Sequence, residues 1–282
     1  MRILLTGAGG MLGTDVRRAA ESAAVELVAC PRSELDVTDS QAVAAKLRRL
    51  APAVVINCAA WTDVDGAEFD EQRATTVNGA GAGNVARAAA AAGAWTLHIS
   101  SDYVFDGSKR TPYLESDRPA PLSAYGRSKL AGERAVQRAA PGAHTIVRTS
   151  WLFGTTGRCF PRTILRLAAR QRVLTVVDDQ VGCPTFTGHL APALIELATE
   201  ARLVGTVHLS GGGECSWCEL ARAVVDAAGL DARVKPGRTA DTDRPAPRPR
   251  YSVLRSERVG VADLPHWREG VMEFFAAGVR AG

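Results

Sequence analysis

The chain has 282 residues, 46% hydrophobic and 23% charged, with a formal net charge of +4, a balance that excludes a disordered or fibrous protein. That length allows one large α/β domain or two lobes sharing a core. Scattered arginines argue against a nucleic-acid surface but suit an anionic small ligand, no apolar stretch approaches the ~20 residues of a membrane span, and the opening apolar run is too short for a signal peptide, so a cytoplasmic location is expected.

The first strand, Arg2-Ile3-Leu4-Leu5-Thr6, turns straight into Gly7-Ala8-Gly9-Gly10-Met11-Leu12-Gly13, which opens a predicted helix over Met11–Ala20. Glycine serves where backbone takes φ > 0 or must approach a pyrophosphate closely. The helix start then offers free N–H groups and a positive dipole end to phosphate. The spacing departs from GxGxxG because position 12 is Leu, but its place between strand and helix points to a dinucleotide. Gly7, Gly10, Met11 and Leu12 are the candidate contacts there.

A second strand, Val25–Cys30, is followed by Pro31-Arg32-Ser33. An acidic residue at this strand end would favour NAD. Arg32, with Ser33 assisting, could instead pair with a 2′-phosphate, so NADPH is the expected cofactor and NADH the alternative. A solvated surface arginine is the other reading of Arg32. Asp36 and Val37 line an adenine pocket or form a capping turn. A helix over Ser40–Leu50, capped by Asp39 or Ser40, precedes the strand Val54–Asn57. The Ala-rich stretch within the predicted helix Thr75–Ala92 reads as tight packing.

The strand Thr96–Ser100 runs into Ser101-Asp102-Tyr103-Val104-Phe105-Asp106-Gly107, at the sheet end where α/β folds bind ligands. Asp102 and Asp106 read as turn caps, with contact to a substrate as the other reading. A helix over Ser123–Ala139 carries Tyr125 and Lys129, four apart and so on one face. After the strand Thr145–Arg148 the alternation weakens. Helices are expected over Phe160–Gln171 and Trp217–Ala228, and Lys235–Pro249 is expected to be largely loop. The CxxC spacing of Cys215 and Cys218 lacks a second pair or clustered histidines, so no metal site is expected. Apolar strands alternating with helices imply a doubly wound parallel sheet of Rossmann type. Residues 1–150 form its NADP(H)-binding domain, and 151–282 mainly a smaller C-terminal α/β substrate lobe, with some later segments returning to the first.

The chemistry follows from Tyr125 and Lys129. A ketone reduced by hydride develops alkoxide character and needs a proton donor. A phenol titrates near ~10, and a neighbouring ammonium is expected to lower it towards working pH, while Lys129 also holds the nicotinamide ribose. Ser101 supplies a hydroxyl to orient the carbonyl and share its developing charge.

On these residues the chain resembles the extended short-chain dehydrogenase/reductases and, within them, the dTDP-4-dehydrorhamnose reductase family. The likeness runs over Gly7–Gly13, Leu35–Asp39, Asn57–Glu68, Val77-Asn78, Ser100–Gly107, Tyr125–Glu133, Asp179–Thr185, Ser216-Trp217 and Arg248-Pro249. It implies reduction of the C4 ketone of a dTDP-linked 4-keto-6-deoxysugar to dTDP-L-rhamnose, with Tyr125 as proton donor. It also implies that Cys58, Ala59 and Ala60 pass beneath the cofactor and that Thr62 meets both cofactor and sugar. Val64, Tyr103 and Trp151 would line the sugar pocket, with Gln180 and Arg250 at the sugar or nucleotide end. The family usually has Thr at Ser101, and often an Asn-Phe pair where Cys159-Phe160 stands here. That second departure leaves open a 4-ketoreductase for another dTDP-deoxysugar, as in antibiotic glycosylation. A non-catalytic NADP-binding regulatory subunit is the reading from another class. Some relatives dimerise through a metal-bridged interface; a homodimer is an expectation, with no carboxylate cluster assignable to a metal.

Overall fold

The structure, a computed structural model, describes residues 1–280; the last two residues of the 151–282 lobe, Ala281 and Gly282, lie outside the described residues. In chain order the first half holds β1 (Arg2–Thr6), α1 (Met11–Ser22), β2 (Glu26–Cys30), α2 (Ser40–Leu50), β3 (Val54–Asn57), α3 (Val64–Phe69), α4 (Glu71–Thr75), α5 (Ala82–Ala91), β4 (Trp95–Ser101), α6 (Ala124–Ala139) and β5 (His144–Thr149). The second half holds β6 (Leu152–Phe153), α7 (Phe160–Ala168), β7 (Val173–Val177), β8 (Val181–Gly182), β9 (Thr185–Phe186), α8 (Thr187–Thr199), β10 (Gly205–His208), β11 (Cys215–Ser216), α9 (Trp217–Ala227), β12 (Arg233–Gly237) and α10 (Trp267–Ala276).

Six strands form one parallel sheet in the order β10-β5-β4-β3-β1-β2. The four central strands are buried on both faces, which is why they read as continuous apolar runs. On one face Val16 and Ala20 of α1 and Leu190, Leu194 and Leu197 of α8 pack on Ile3, Leu5, Ile56 and Leu97. On the other, Val43 and Leu47 of α2 and Val85 and Ala89 of α5 pack on Leu4 and Val55. The chain runs from β1 to β2 on one side and then to β3 on the other, so the strand order reverses at β1. That reversal opens a crevice at the carboxyl ends of the strands, where such folds take ligands.

Residues beyond 150 contribute to both lobes. β10 pairs with β5, Val207 opposite Val147, and α8 lies against α1. Both belong to the sheet domain in space. The rest builds a second core around Phe153, Leu165, Leu220, Val224, Trp267 and Phe274. Cys215 and Cys218 are buried in that core.

Two segments depart from the sequence reading. The stretch Thr75–Ala92 is not one uniform helix, because a π-helical turn over Thr76–Gly81 separates α4 from α5. Lys235-Pro236-Gly237 belongs to β12 rather than to a loop, pairing only with β7. A proline is tolerated there because a strand with one neighbour leaves an N–H side without a ladder partner.

Candidate active site

The crevice is a cavity of about 990 Å³, at the upper end of the range for small-molecule sites. Its first wall is the glycine loop. Gly7 has φ +67°, and a Cβ there would lie 2.6 Å from the Ala59 nitrogen, so only glycine lets β1 turn this close to the segment after β3. No side chain caps the start of α1 at Gly10. Its first-turn N–H groups therefore face the cavity without an internal acceptor, as a pyrophosphate site requires. The absence of an anionic cap and the closeness of the backbone both fit a dinucleotide.

Asn57, at the end of β3, holds the next wall. Its Oδ1 accepts from Thr6 Oγ1 at 2.6 Å and from the Ala59 N–H at 3.2 Å, fixing the run Cys58-Ala59-Ala60 along the cavity floor. The π-helical turn then explains itself. Asn78, buried within it, donates to the Trp61 carbonyl and to Ser128 Oγ and accepts from the Trp61 N–H. It ties the loop below the cavity to α6, in a local distortion of the kind often found at functional sites.

At the far end of the sheet, β4 delivers Ser101 and Asp102, and α6, capped by Ser123 Oγ on the Gly126 N–H, delivers Tyr125 and Lys129. Lys129 is only 2% exposed, and its Nζ donates to the Ile99 carbonyl at 2.7 Å. Burial lowers it to about 8, with Glu133 and Cys58 working in the other direction. Tyr125 meets Tyr103 edge to face at 5.8 Å. Burial pushes its phenol up to about 12, opposed by the Ser101 hydroxyl and reinforced by Asp102. The expectation that Lys129 lowers Tyr125 towards neutral pH is therefore corrected. Desolvation dominates at Tyr125, where Ser101 and Asp102 rather than Lys129 are the other contributors, and each group is moved towards its neutral form.

The cavity gathers Gly7, Gly10, Met11, Leu12, Arg32, Ser33, Asp36, Val37, Cys58, Ala59, Ala60, Thr62, Val64, Ser101, Tyr103, Tyr125, Lys129 and Trp151. Arg32 stands at its rim, its side chain 71% exposed and held only by Asp36 at 3.3 Å. Asp36 also accepts from the Thr38 N–H and hydroxyl, so it both forms the turn and lines the cavity.

Gln180 and Arg250 do not reach this cavity. Gln180 is buried behind it, accepting from the Trp217 indole at 3.1 Å and donating to Thr239 Oγ1 at 2.9 Å. Arg250 is exposed, and its carbonyl is taken by the Val181 N–H. Cys159 is also absent from the lining; its thiol sits at the start of α7 and approaches the Gly154 carbonyl at 3.7 Å. Asp106 caps its turn through the Ser108 N–H. Asp102 does not act as a simple turn cap, because it is 2% exposed and bonded to Ser101 and Ser252.

The sequence reading did not place Trp61, Arg158 or Trp217 in the lining. Trp217 stacks on Trp151 with ring centroids 3.5 Å apart and 4° between planes. Trp151 holds φ +45°, a left-handed backbone rare for any residue but glycine, and such strain tends to collect at binding sites. A Cβ at Gly182 would lie 2.5 Å from the Trp151 ring, so the glycine of Asp179–Thr185 makes room for the stack. The signal was Ser216-Trp217 itself, an aromatic one residue after a helix cap.

Comparison with known proteins converges on one family. The sequence model of the RmlD substrate binding domain family matches residues 1–279. A dTDP-4-dehydrorhamnose reductase of Mycolicibacterium smegmatis is 44% identical, over 99% of this chain and 86% of that protein. A probable dTDP-4,6-dihydroxy-2-methyloxan-3-one 4-ketoreductase of Streptomyces antibioticus is also 44% identical, over 98% of this chain and 95% of that one. The crystal structure of the Bacillus anthracis dTDP-4-dehydrorhamnose reductase in complex with NADP superposes with a TM-score of 0.94 at 36% identity, covering 98% of this chain and 99% of that one.

Proposed function

The chain belongs to the RmlD substrate binding domain family, and on that premise we propose that it reduces the C4 ketone of dTDP-4-dehydro-6-deoxy-L-mannose to dTDP-L-rhamnose with NADPH. The observation that carries the reading is the convergence of Ser101, Tyr125 and Lys129 at one end of a cavity whose other end is the glycine loop. The cytoplasm, where both ligands would be met, is the expected compartment.

When bound, NADPH supplies the hydride. The uncapped start of α1 would hold its pyrophosphate, Cys58-Ala59-Ala60 would lie beneath it, and Arg32 with Ser33 would meet the 2′-phosphate. Tyr125, pushed up to about 12, keeps its proton at neutral pH and is set up to give it to the substrate oxygen rather than to take one. Lys129, lowered to about 8, is still mostly an ammonium at pH 7, so it places positive charge beside the developing alkoxide. The Ser101 hydroxyl orients the carbonyl. The Trp151–Trp217 stack offers a flat apolar wall to the sugar, and burial of Tyr103 keeps its phenol neutral.

The equal identity to the Streptomyces antibioticus ketoreductase favours a second reading, reduction of another dTDP-4-keto-deoxysugar. Purified protein with NADPH and a panel of dTDP-4-keto sugars separates the two. Consumption of the 4-keto-L-rhamnose precursor is the expected result. Turnover of a different sugar alone would move the assignment to the second reading. In the same assay Tyr125→Phe should lower kcat by ~100-fold or more while cofactor still binds, as loss of a general acid does. Undiminished turnover would remove Tyr125 from the mechanism.

A further inference from the structure

Ser101 has one hydrogen to give and two lone pairs to receive with. One lone pair takes the Tyr103 N–H at 3.1 Å. Asp102 Oδ1 lies 2.9 Å from the Ser101 oxygen. If Asp102 is a carboxylate, Oδ1 can only accept, so the one hydrogen of Ser101 is spent on it and none is left for a substrate carbonyl. If Asp102 is a carboxylic acid, it donates to the second lone pair of Ser101, whose own hydrogen is then free to turn to the Tyr125 phenol or to the cavity. The two states differ in whether Ser101 can do the work that the reductase mechanism asks of it.

Ser252 decides where that proton would sit. It comes from the C-terminal part of the chain, is itself 2% exposed, and donates to Asp102 Oδ2 at 2.6 Å. The oxygen that accepts is the carbonyl oxygen of an acid, which leaves the hydroxyl on Oδ1, the oxygen facing Ser101. We propose that Asp102 is a positioning residue that works in its protonated form, with Ser252 holding the proton on the oxygen that faces Ser101. This rests on the reductase reading above.

The surroundings suit a neutral acid. Asp102 faces the Tyr125 phenol on α6, the Tyr103 phenol in its own turn, and the Cys183 thiol between β8 and β9. Burial raises all three, so all are uncharged near neutral pH. The nearby cations are committed elsewhere, Lys129 to the Ile99 carbonyl and Arg248 to Asp65 at 2.9 Å. Among the described residues no ion pair includes Asp102. Burial then pushes its carboxyl up to about 7 against the hydrogen bonds from Ser252 and Ser101.

The test is kcat/KM against pH for the full chain with NADPH and the dTDP-4-keto sugar it consumes, because that ratio follows the ionisations of the free enzyme. Wild type should bend downwards near about 7 as Asp102 ionises and again near about 8 as Lys129 loses its proton. Above both, log kcat/KM should fall by about two per pH unit, one for each proton lost. Asp102→Asn cannot ionise, yet its amide donates to Ser101. It should lose the first bend and fall by only about one per pH unit. Ser252→Ala removes a donor that favours the ionised carboxylate, so its first bend should move to higher pH. A merely structural Asp102 would lower kcat/KM without moving a bend. The inference is overturned if the first bend survives in Asp102→Asn, or if that variant loses as much kcat/KM as Asp102→Ala at every pH. Should Asp102→Asn fail to fold, an unmoved bend in Ser252→Ala overturns it equally. A wild type that consumes no dTDP-4-keto sugar would instead sink the reductase reading.

Discussion

Replacing Lys129 with methionine should make the protein more stable and nearly inactive. The ammonium is 2% exposed, and its fall from 10.5 to about 8, at ~1.4 kcal/mol per pH unit, means that charging it in the fold costs about 3 kcal/mol. Methionine has nearly the same reach and no charge to desolvate. Against that gain, the Ile99 carbonyl loses its donor, worth ~1–3 kcal/mol. The net gain at pH 7 is therefore about 1 kcal/mol. The sign with pH follows from a folded value below the unfolded one. Below about 8 both states carry the proton and the penalty is fully present. Between about 8 and 10.5 the unfolded chain holds more protons, so wild-type stability rises with pH relative to the variant. By 10.5 the penalty is gone, and only the unpaired carbonyl separates the two proteins, now to the variant's disadvantage. Urea unfolding of both proteins at pH 7 and at pH 10 measures this directly, and the difference between them should change by about 3 kcal/mol and reverse sign. A difference that does not vary with pH would show that Lys129 carries no such penalty. In the turnover assay the same variant should lose ~100-fold or more in kcat.

Two further substitutions probe the two ends of the cavity. Arg32→Ala removes a side chain 71% exposed and held only by Asp36; loss of a charged hydrogen bond worth ~1.5–3 kcal/mol should weaken NADPH by ~10–100-fold and leave NADH binding unmoved, so an unchanged NADPH-to-NADH ratio of Kd values would remove Arg32 from the cofactor site. Gly182→Ala puts a methyl where the Trp151 ring now lies, 2.5 Å from the ideal Cβ; the Trp151–Trp217 stack should be displaced, seen as a changed near-ultraviolet circular dichroism, with a raised KM for the sugar and an unchanged Kd for NADPH. Equal effects on both ligands would mean that the stack is general core rather than sugar wall.

The sheet domain was readable because its signals are local. β1 to β5 are short apolar runs between amphipathic helices, and the glycine loop leads from β1 straight into α1. The return of the chain to that sheet was not readable. In α8 the apolar run from Leu190 to Leu197 is interrupted by Pro192, which looks like a break. The proline lies inside the helix, at its sixth residue, and α8 continues through it without the N–H that would meet the Gly188 carbonyl. β10 has four residues, and only its pairing with β5 identifies it as a strand. Long-range pairing of that kind leaves no periodic trace, so the weakening alternation after residue 150 hid two elements of the first domain.

The site shows a sharper limit, because residue types give chemistry but not depth. Four-residue spacing puts Tyr125 and Lys129 on one face, and the reading that the ammonium acidifies the phenol treats the pair as if water surrounded it. Lys129 is buried and Tyr125 half-buried, and desolvation moves the phenol up and the ammonium down. The same omission made Asp102 look like an ordinary turn cap beside Asp106. Asp106 faces solvent and holds its turn as a carboxylate kept below its ordinary range by the Ser108 N–H. Asp102, four residues earlier in the same segment, has a serine on each oxygen and no cation, and is pushed towards the acid form. Two identical side chains on one loop thus differ near neutral pH, Asp106 being a carboxylate and Asp102 divided between carboxylate and acid. What separates them is burial, which raises Asp102 against the opposing hydrogen bond from Ser252, a residue 150 positions away in sequence. Gln180 makes the converse point. It sits in one of the stretches that carry the family likeness, yet it acts on the Trp217 indole from behind. A distinctive motif therefore marks where a site is built, while the fold decides which of its side chains face the ligand and which hold the ones that do.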